Sequence, residues 1–294
     1  MSTEGSTVIA VASGKGGTGK TTVAAHLAIA SERTQQTLLV DLDVETPDAS
    51  GYFPNAKTTG TPETVSVLVP NLVEDLCTGY GLCGKTCRFG AILVIGGVVT
   101  IDQMICKGCG ACVAVCPTNA LVETPMIIGE VSRQEADGLG LLEGRMLVGD
   151  IRSTVIIEAA KKKAASLGAA VEIRDCPPGV SCPATHAIEG ADYIILVAEP
   201  TEFSIHDLDA AARLARGRGI PTGVVINKDG FGDADVAGYC AREGIPVIGR
   251  IAFLRERAAS GASASLWRDD PIIQTEMDNI LKRALADART RRAS

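Results

Sequence analysis

Aromatic residues are scarce in this chain of 294 residues: one Trp, four Tyr and five Phe. A core must therefore be filled by Ala, Val, Ile and Leu. A basic excess is also missing. Lys and Arg number 28 against 35 Asp and Glu, for a net charge of −7. That balance excludes a general polyanion-binding surface, because a phosphate backbone demands a basic field. No nucleic-acid partner is expected, and there is room only for a local basic site. No apolar run approaches the roughly 20 residues that span a bilayer. The opening MSTEGSTVIAVASGKGG has no basic stretch followed by an apolar one. A cytoplasmic, reducing setting is expected, and a membrane partner is not. The three histidines, His26, His186 and His206, share no ligand or triad spacing and read as structural.

What is present carries more. A hydrophobic fraction of 46% supports a full core and excludes a disordered chain. The 32 glycines imply many tight turns or close backbone approaches. Of ten cysteines, seven lie between Cys77 and Cys116. In a reducing compartment these are not a disulfide scaffold. Such clustering reads as metal or iron–sulfur ligation.

Along the chain, Thr7–Ala12 reads as a strand, a glycine-rich loop follows, and Thr21–Ala30 has helical spacing. Thr37–Val40 is a second strand, ending in Asp41 and Asp43. From about Pro62 to Pro125 the cysteine block intervenes. Strands are then read at Val171–Arg174, Tyr193–Ala198, Thr222–Ile226 and Val247–Ile251. Helices are read at Val155–Leu167, His206–Gly217, Ala234–Glu243 and Ile272–Arg289. Recurrent βα units predict an α/β fold with a doubly wound, mainly parallel sheet. The cysteine block reads as a small inserted α+β module. The expected division is 1–66 and 126–294 for the α/β domain and 67–125 for the insert.

Gly14-Lys15-Gly16-Gly17-Thr18-Gly19-Lys20-Thr21 fits G-x-x-x-x-G-K-S/T between a strand and a helix. Glycines let backbone N–H groups curl around phosphate oxygens at a helix N-terminus. Lys20 is expected to reach the β/γ-phosphates and Thr21 to sit on Mg²⁺. Thr22 joins the set expected to bind ATP.

The full string SGKGGTGKTT resembles the deviant phosphate loop of the MinD/nitrogenase-iron-protein class of ATPases. The resemblance implies a nucleotide-sandwich homodimer in which Lys15 acts on the partner's nucleotide. Asp43, closing the second strand, looks like the class's first switch, positioning the attacking water or the metal shell; Asp41 reads as structural. Asp175-Cys176-Pro177-Pro178-Gly179 resembles the second switch, which makes Asp175 the Mg²⁺ carboxylate and Gly179 the γ-phosphate sensor. Asn227 resembles the adenine-reading asparagine. Ile251-Ala252-Phe253-Leu254 departs from the class's usual I-P-F/Y-D.

Cys106-x₂-Cys109-x₂-Cys112-x₃-Cys116-Pro117 is the bacterial ferredoxin run, whose fourth cysteine ligates the other cluster. Zinc sites use two pairs of ligands without this triple spacing. Residues 77–92 repeat the run incompletely: Cys77, Cys83 and Cys87 are present, and Tyr80 stands where the second cysteine belongs. The crossover rule gives one complete [4Fe–4S] set, Cys87, Cys106, Cys109 and Cys112. It leaves Cys77, Cys83 and Cys116 for a second site. Three thiolates there admit a [3Fe–4S] cluster, a labile [4Fe–4S] cluster with a non-cysteine ligand, or no cluster. The Tyr80 ring is expected to pack over the vacant corner. Cys176 and Cys240 read as small buried apolar residues. Cys182 lies at the offset of the nitrogenase iron protein's interface ligand, without that protein's partner cysteine.

Taken whole, the chain resembles MinD-superfamily ATPases that carry an inserted ferredoxin domain. The resemblance implies ATP-driven dimer closure that gates electron transfer through the clusters to an unknown redox protein. A second reading is an Mrp-type cluster carrier delivering to an acceptor protein, although no C-x-x-C follows Cys116. A third is a MinD-like positioning ATPase with the clusters as a sensor. The terminal stripe Ile280, Leu281, Ala284, Leu285 and Ala288 is expected to pack on the sheet rather than on lipid.

Overall fold

The computed structural model describes residues 6–253 and 270–293. Its centre is a mainly parallel sheet of strands β1 (Thr7–Ala12), β2 (Thr37–Asp41), β8 (Leu139–Met146), β9 (Val171–Asp175), β10 (Tyr193–Ala198), β11 (Thr222–Asp229) and β12 (Val247–Ala252). The spatial order β12-β11-β10-β1-β9-β2-β8 is parallel throughout. β1, β2 and β10 read as nearly continuous apolar runs because both of their faces are covered. Along β1, Val8, Ala10 and Ala12 enter one core, and Ile9 and Val11 enter the other.

Helices cover both faces. On one lie α1 (Lys20–Glu32) and α8 (Pro271–Ala293). On the other lie α4 (Ser153–Leu167), α5 (Cys182–Ile188), α6 (Glu202–Gly217) and α7 (Val236–Glu243). Their ends follow local chemistry. Thr201 Oγ1 accepts the Ser204 N–H at 3.2 Å to start α6, and Asp235 Oδ1 accepts the Gly238 N–H at 2.7 Å to start α7. In α8, Ile280, Ala284 and Ala288 are fully buried, so the apolar stripe packs inward as the sequence predicts. No helix among the described residues is long and apolar enough to cross a membrane.

Beyond β8 the sheet turns antiparallel. A long strand, β7 (Leu121–Ala136), pairs with β8 through the two-residue turn Asp137-Gly138, both at positive φ. That is the hairpin geometry Asp-Gly favours. β3 (Lys57–Thr58) and β4 (Glu63–Leu72) pair with β7 on its other edge. The β4–β7 ladder runs from Glu63↔Val131 out to Leu72↔Leu121. At its far end stand α2 (Leu82–Thr86), α3 (Ala111–Ala114) and the hairpin of β5 (Ile92–Ile95) and β6 (Val98–Ile101). The expected boundaries at 66/67 and 125/126 both fall inside this ladder.

Candidate functional site

The loop after β1 opens at the C-terminal edge of the parallel sheet, where this architecture places ligands. Two of its glycines leave no room for a side chain. A Cβ at Gly14 would stand 2.1 Å from the Asp207 carbonyl oxygen, and one at Gly19, with φ +88°, 2.2 Å from Asn227 Nδ2. Asn227 is buried and donates Nδ2 to the Thr18 carbonyl at 2.7 Å, so its amide braces the loop from below.

A cleft of about 720 Å³ lies over the loop. Lys15, Gly16, Gly17, Gly19, Lys20, Thr21, Thr22 and Asp43 all line it. Gly14, Thr18, Asp175, Gly179 and Asn227 are not among its lining residues. Lys20 Nζ meets Asp175 Oδ1 at 2.5 Å, with both side chains buried. Burial works against the Lys20 charge, but contact with Asp175 outweighs it and holds its pKa above the ordinary value. Burial also pushes the Asp175 carboxyl up, with Lys20 countering. Among the described residues Asp175 Oδ2 is buried without a hydrogen-bond partner, and one carboxylate oxygen each of Asp41, Asp48 and Asp175 gather within 4.8 Å. Such an orphaned acceptor among carboxylates fits a divalent cation. Asp43 is half-buried, and burial pushes its carboxyl up to about 6. Asp41 instead accepts the N–H groups of Asp43, Asp48 and Ala49 at 3.0, 3.0 and 2.9 Å, which fits a structural part. Thr22 Oγ1 lies 2.7 Å from Tyr52 Oη, and the Gly179 N–H donates to the Ser13 carbonyl at 2.8 Å.

Arg145, at the end of β8, also lines the cleft. Glu199, following β10, binds Lys15. Sequence reasoning missed both. Each is a charged residue at the C-terminal end of a parallel strand, which is itself a usable signal, but the sequence pattern does not mark β8 as a strand.

The seven clustered cysteines fall into two sets. Cys87, Cys106, Cys109 and Cys112 line one cavity, with Pro70, Phe89 and Ile92 among its walls. Cys77, Cys83 and Cys116 line another, together with residues 78–82 and Thr118. The backbone brings the partners together through tight approaches; a Cβ at Gly79 would stand 2.7 Å from the Gly97 carbonyl oxygen. Each donor set is a group of thiols converging on its own small cavity, which is the chemistry an iron–sulfur cluster requires. Cys116 Sγ accepts the Ala120 N–H at 3.2 Å. Burial opposes its thiolate, yet hydrogen bonds from Leu121, Thr118 and Ala120 hold its pKa below the usual value. Tyr80 departs from expectation: it borders its cavity but is 72% exposed, so the ring does not pack down over the corner.

The remaining cysteines separate. Cys176 and Cys240 are fully buried, and burial pushes their thiols up to about 12 and about 11. Cys182 is exposed at the start of α5. His186 binds Glu158 at 3.0 Å on the surface, far from any thiol set in sequence. Of the segment Ile251–Leu254, Leu254 lies outside the described residues.

Comparison with known proteins agrees with this geometry. The family described as "CobQ/CobB/MinD/ParA nucleotide binding domain" matches residues 9–265. An uncharacterized protein of Methanocaldococcus jannaschii is 29% identical over 232 residues, covering 79% of this chain and 83% of that one. One component of the ion-translocating oxidoreductase complex of Methanosarcina acetivorans is 49% identical over 45 residues, 15% of this chain and 17% of its own. The septum site-determining protein MinD of Pyrococcus horikoshii, solved with Mg-ADP, shares the fold at a TM-score of 0.58 and 16% identity, over 95% of each chain. With its phosphate loop, its sheet order and a match over most of its length, the chain belongs to the CobQ/CobB/MinD/ParA nucleotide-binding-domain family.

Proposed function

We propose that this protein is an ATPase whose nucleotide-driven dimer closure gates electron transfer through clusters held by its cysteine arm. One observation carries the reading. The ladder that bears both thiol sets at its far end is hydrogen-bonded, through β7, to β8, and β8 delivers Arg145 to the nucleotide cleft. The 45-residue likeness to a component of an oxidoreductase complex supports the redox half.

In this reading the loop N–H groups hold the phosphates of MgATP and Lys20 neutralises the β/γ charge. Thr21, Asp43 and Asp175 would hold Mg²⁺, and Asp43 would orient the attacking water. Lys15 reaches the nucleotide of a second copy, and Gly179 reads the γ-phosphate. Asn227 keeps the loop in shape from below. The seven cysteines provide thiolates for a four-thiol and a three-thiol site; clusters bound there supply one-electron transfer. The insert is the arm carried by β4 and β7.

A cluster-carrier role is the second reading, favoured by one feature: the three-thiol site lacks a fourth cysteine and its Tyr80 stands in solvent. The deciding experiment is an anaerobic redox titration of the reconstituted protein, followed by EPR, with MgATP against MgADP. A shift of tens of millivolts between nucleotides supports gating, being about a kcal/mol of coupling per electron. No shift, with the signal passing to an apo-acceptor under ATP, supports the carrier.

A further inference from the structure

Arg152 stands where the nucleotide half of the chain meets the Cys106 loop. It immediately precedes α4. Its side chain is 2% exposed, and that of its partner Asp150 is 3%. Nε donates to Asp150 Oδ1 at 2.8 Å, and Nη2 donates to Oδ2. Nη1 donates to the carbonyl oxygens of Cys106 at 3.2 Å and Gln103 at 3.4 Å. Nη2 also faces Met126 Sδ at 3.6 Å. Asp150 Oδ1 in turn accepts the N–H groups of Ile151 and Arg152 at 2.8 and 2.9 Å, so the entry to α4 is folded around this carboxylate. Lys107 Nζ reaches the Ile151 carbonyl at 3.4 Å and adds a second tie between the same two segments.

A buried ion pair is a poor choice for stability alone, since desolvation costs several kcal/mol per ion and apolar packing does as well or better. What the guanidinium provides is a rigid planar fork that joins several acceptors in one geometry. Here it joins Asp150, Gln103 and Cys106, and the thiol of Cys106 lines the four-thiol cavity. At the other end of the same connection, Arg145 lines the nucleotide cleft. Directly after Arg152, α4 is locked under the sheet by Ile156, Ile157 and Ala160, all fully buried. The β4–β7 ladder holds the arm in place by backbone bonds. The guanidinium touches the cysteine loop itself from the α4 side.

We propose that Arg152 is a positioning residue that carries rearrangement at the nucleotide cleft to the Cys106 loop, coupling nucleotide state to the four-thiol site. This rests on the gating reading above. The experiment uses the full chain reconstituted with iron and sulfide, unsubstituted and as Arg152→Lys and Arg152→Gln, matched for iron content. Cluster potential and hydrogen exchange over residues 103–109 are measured with MgATP and with MgADP. The unsubstituted protein is expected to show a nucleotide-dependent difference in both. Both variants are expected to lose that difference, while ATP-independent potential and folding persist. Lysine retains the buried charge but not the fork, so it keeps the test open where the glutamine variant fails to fold. A nucleotide-dependent difference that survives in Arg152→Lys or Arg152→Gln overturns the proposal alone. Absence of any difference in the unsubstituted protein overturns the gating reading, and this proposal with it.

Discussion

Nζ of Lys15 lies 2.5 Å from Oε1 of Glu199, and Nζ of Lys228 lies 2.9 Å from Oε2 of the same carboxylate. Lys228 donates in addition to the Gly17 carbonyl at 2.7 Å. One carboxylate thus gathers two cations at the phosphate loop. Burial works against its charge, but the hydrogen bonds from Lys15 and Lys228 outweigh it and hold its pKa below the ordinary value. In the single chain Lys15 is held by its own Glu199, and in the proposed reading, where it reaches a partner's nucleotide, closure of a dimer would draw it away from that carboxylate.

Glu199→Gln weakens that hold while leaving the loop's backbone untouched. A partly exposed ion pair is worth about 1 kcal/mol or less. ATP-dependent self-association is therefore expected at a protein concentration about two- to fivefold lower. Lys15→Ala is expected to abolish ATP turnover with iron content unchanged. Sedimentation velocity and phosphate release check both, and unchanged turnover in Lys15→Ala sinks the trans-lysine role.

Asp43 gives a pH-dependent prediction. Burial holds its carboxyl at about 6 in the folded chain, whereas an unfolded aspartate ionises near 3.9. The folded state binds this proton more tightly, so stability contributed by Asp43 falls as pH rises from about 4 through about 6, and the loss is complete above that window. Asp43→Asn removes the loss. The variant is expected to melt higher than the unsubstituted protein at pH 7, to match it below pH 4, and to lose ATP turnover. Thermal melts without Mg²⁺ or nucleotide decide the point; equal Tm at pH 7 counts against a costly ionised Asp43.

Tyr80 occupies the place of the missing cysteine in the first copy of the run, and its exposure leaves that corner unshielded. Tyr80→Cys is expected to complete the four-thiol set with Cys77, Cys83 and Cys116. The variant should take up one further iron per chain and lose any EPR signal of an oxidised three-iron cluster. Unchanged iron content and an unchanged spectrum would show that the position does not face the cluster.

How much of this was legible in the sequence depends on how local each signal is. β1, β2 and β10 are buried on both faces, so they announce themselves as apolar runs. The phosphate loop is contiguous, and the grouping of seven thiols follows from a repeat with fixed spacing. β7 is different. It is exposed along much of its length, carries Glu123, Glu130, Arg133 and Glu135, and is interrupted by Pro125 and Gly129. Its apolar alternation is too broken to read, although Asp137-Gly138 marks the hairpin. Arg152 was invisible for another reason. In the sequence it is a charged loop residue beside an aspartate, and only the meeting of α4 with the Cys106 loop buries the pair.

That hairpin supports a final prediction, because β7 links the cysteine arm to the sheet. Gly138 sits at φ +89° in the two-residue turn. A Cβ there would meet only Glu32 Oε1, at an ordinary 3.8 Å. Gly138→Ala therefore has space, and its cost is backbone strain alone, about 1–2 kcal/mol for an L-residue held in the left-handed region. The variant is expected to lower stability by that amount in a urea titration with an unchanged slope. Asp137 also has positive φ, at 51°, but aspartate tolerates that region. Asp137→Val is therefore expected to cost more than Asp137→Asn, because a β-branched residue fits positive φ poorly. If the two cost the same, the turn does not hold the register, and β7 is pinned by its ladders with β4 and β8 instead.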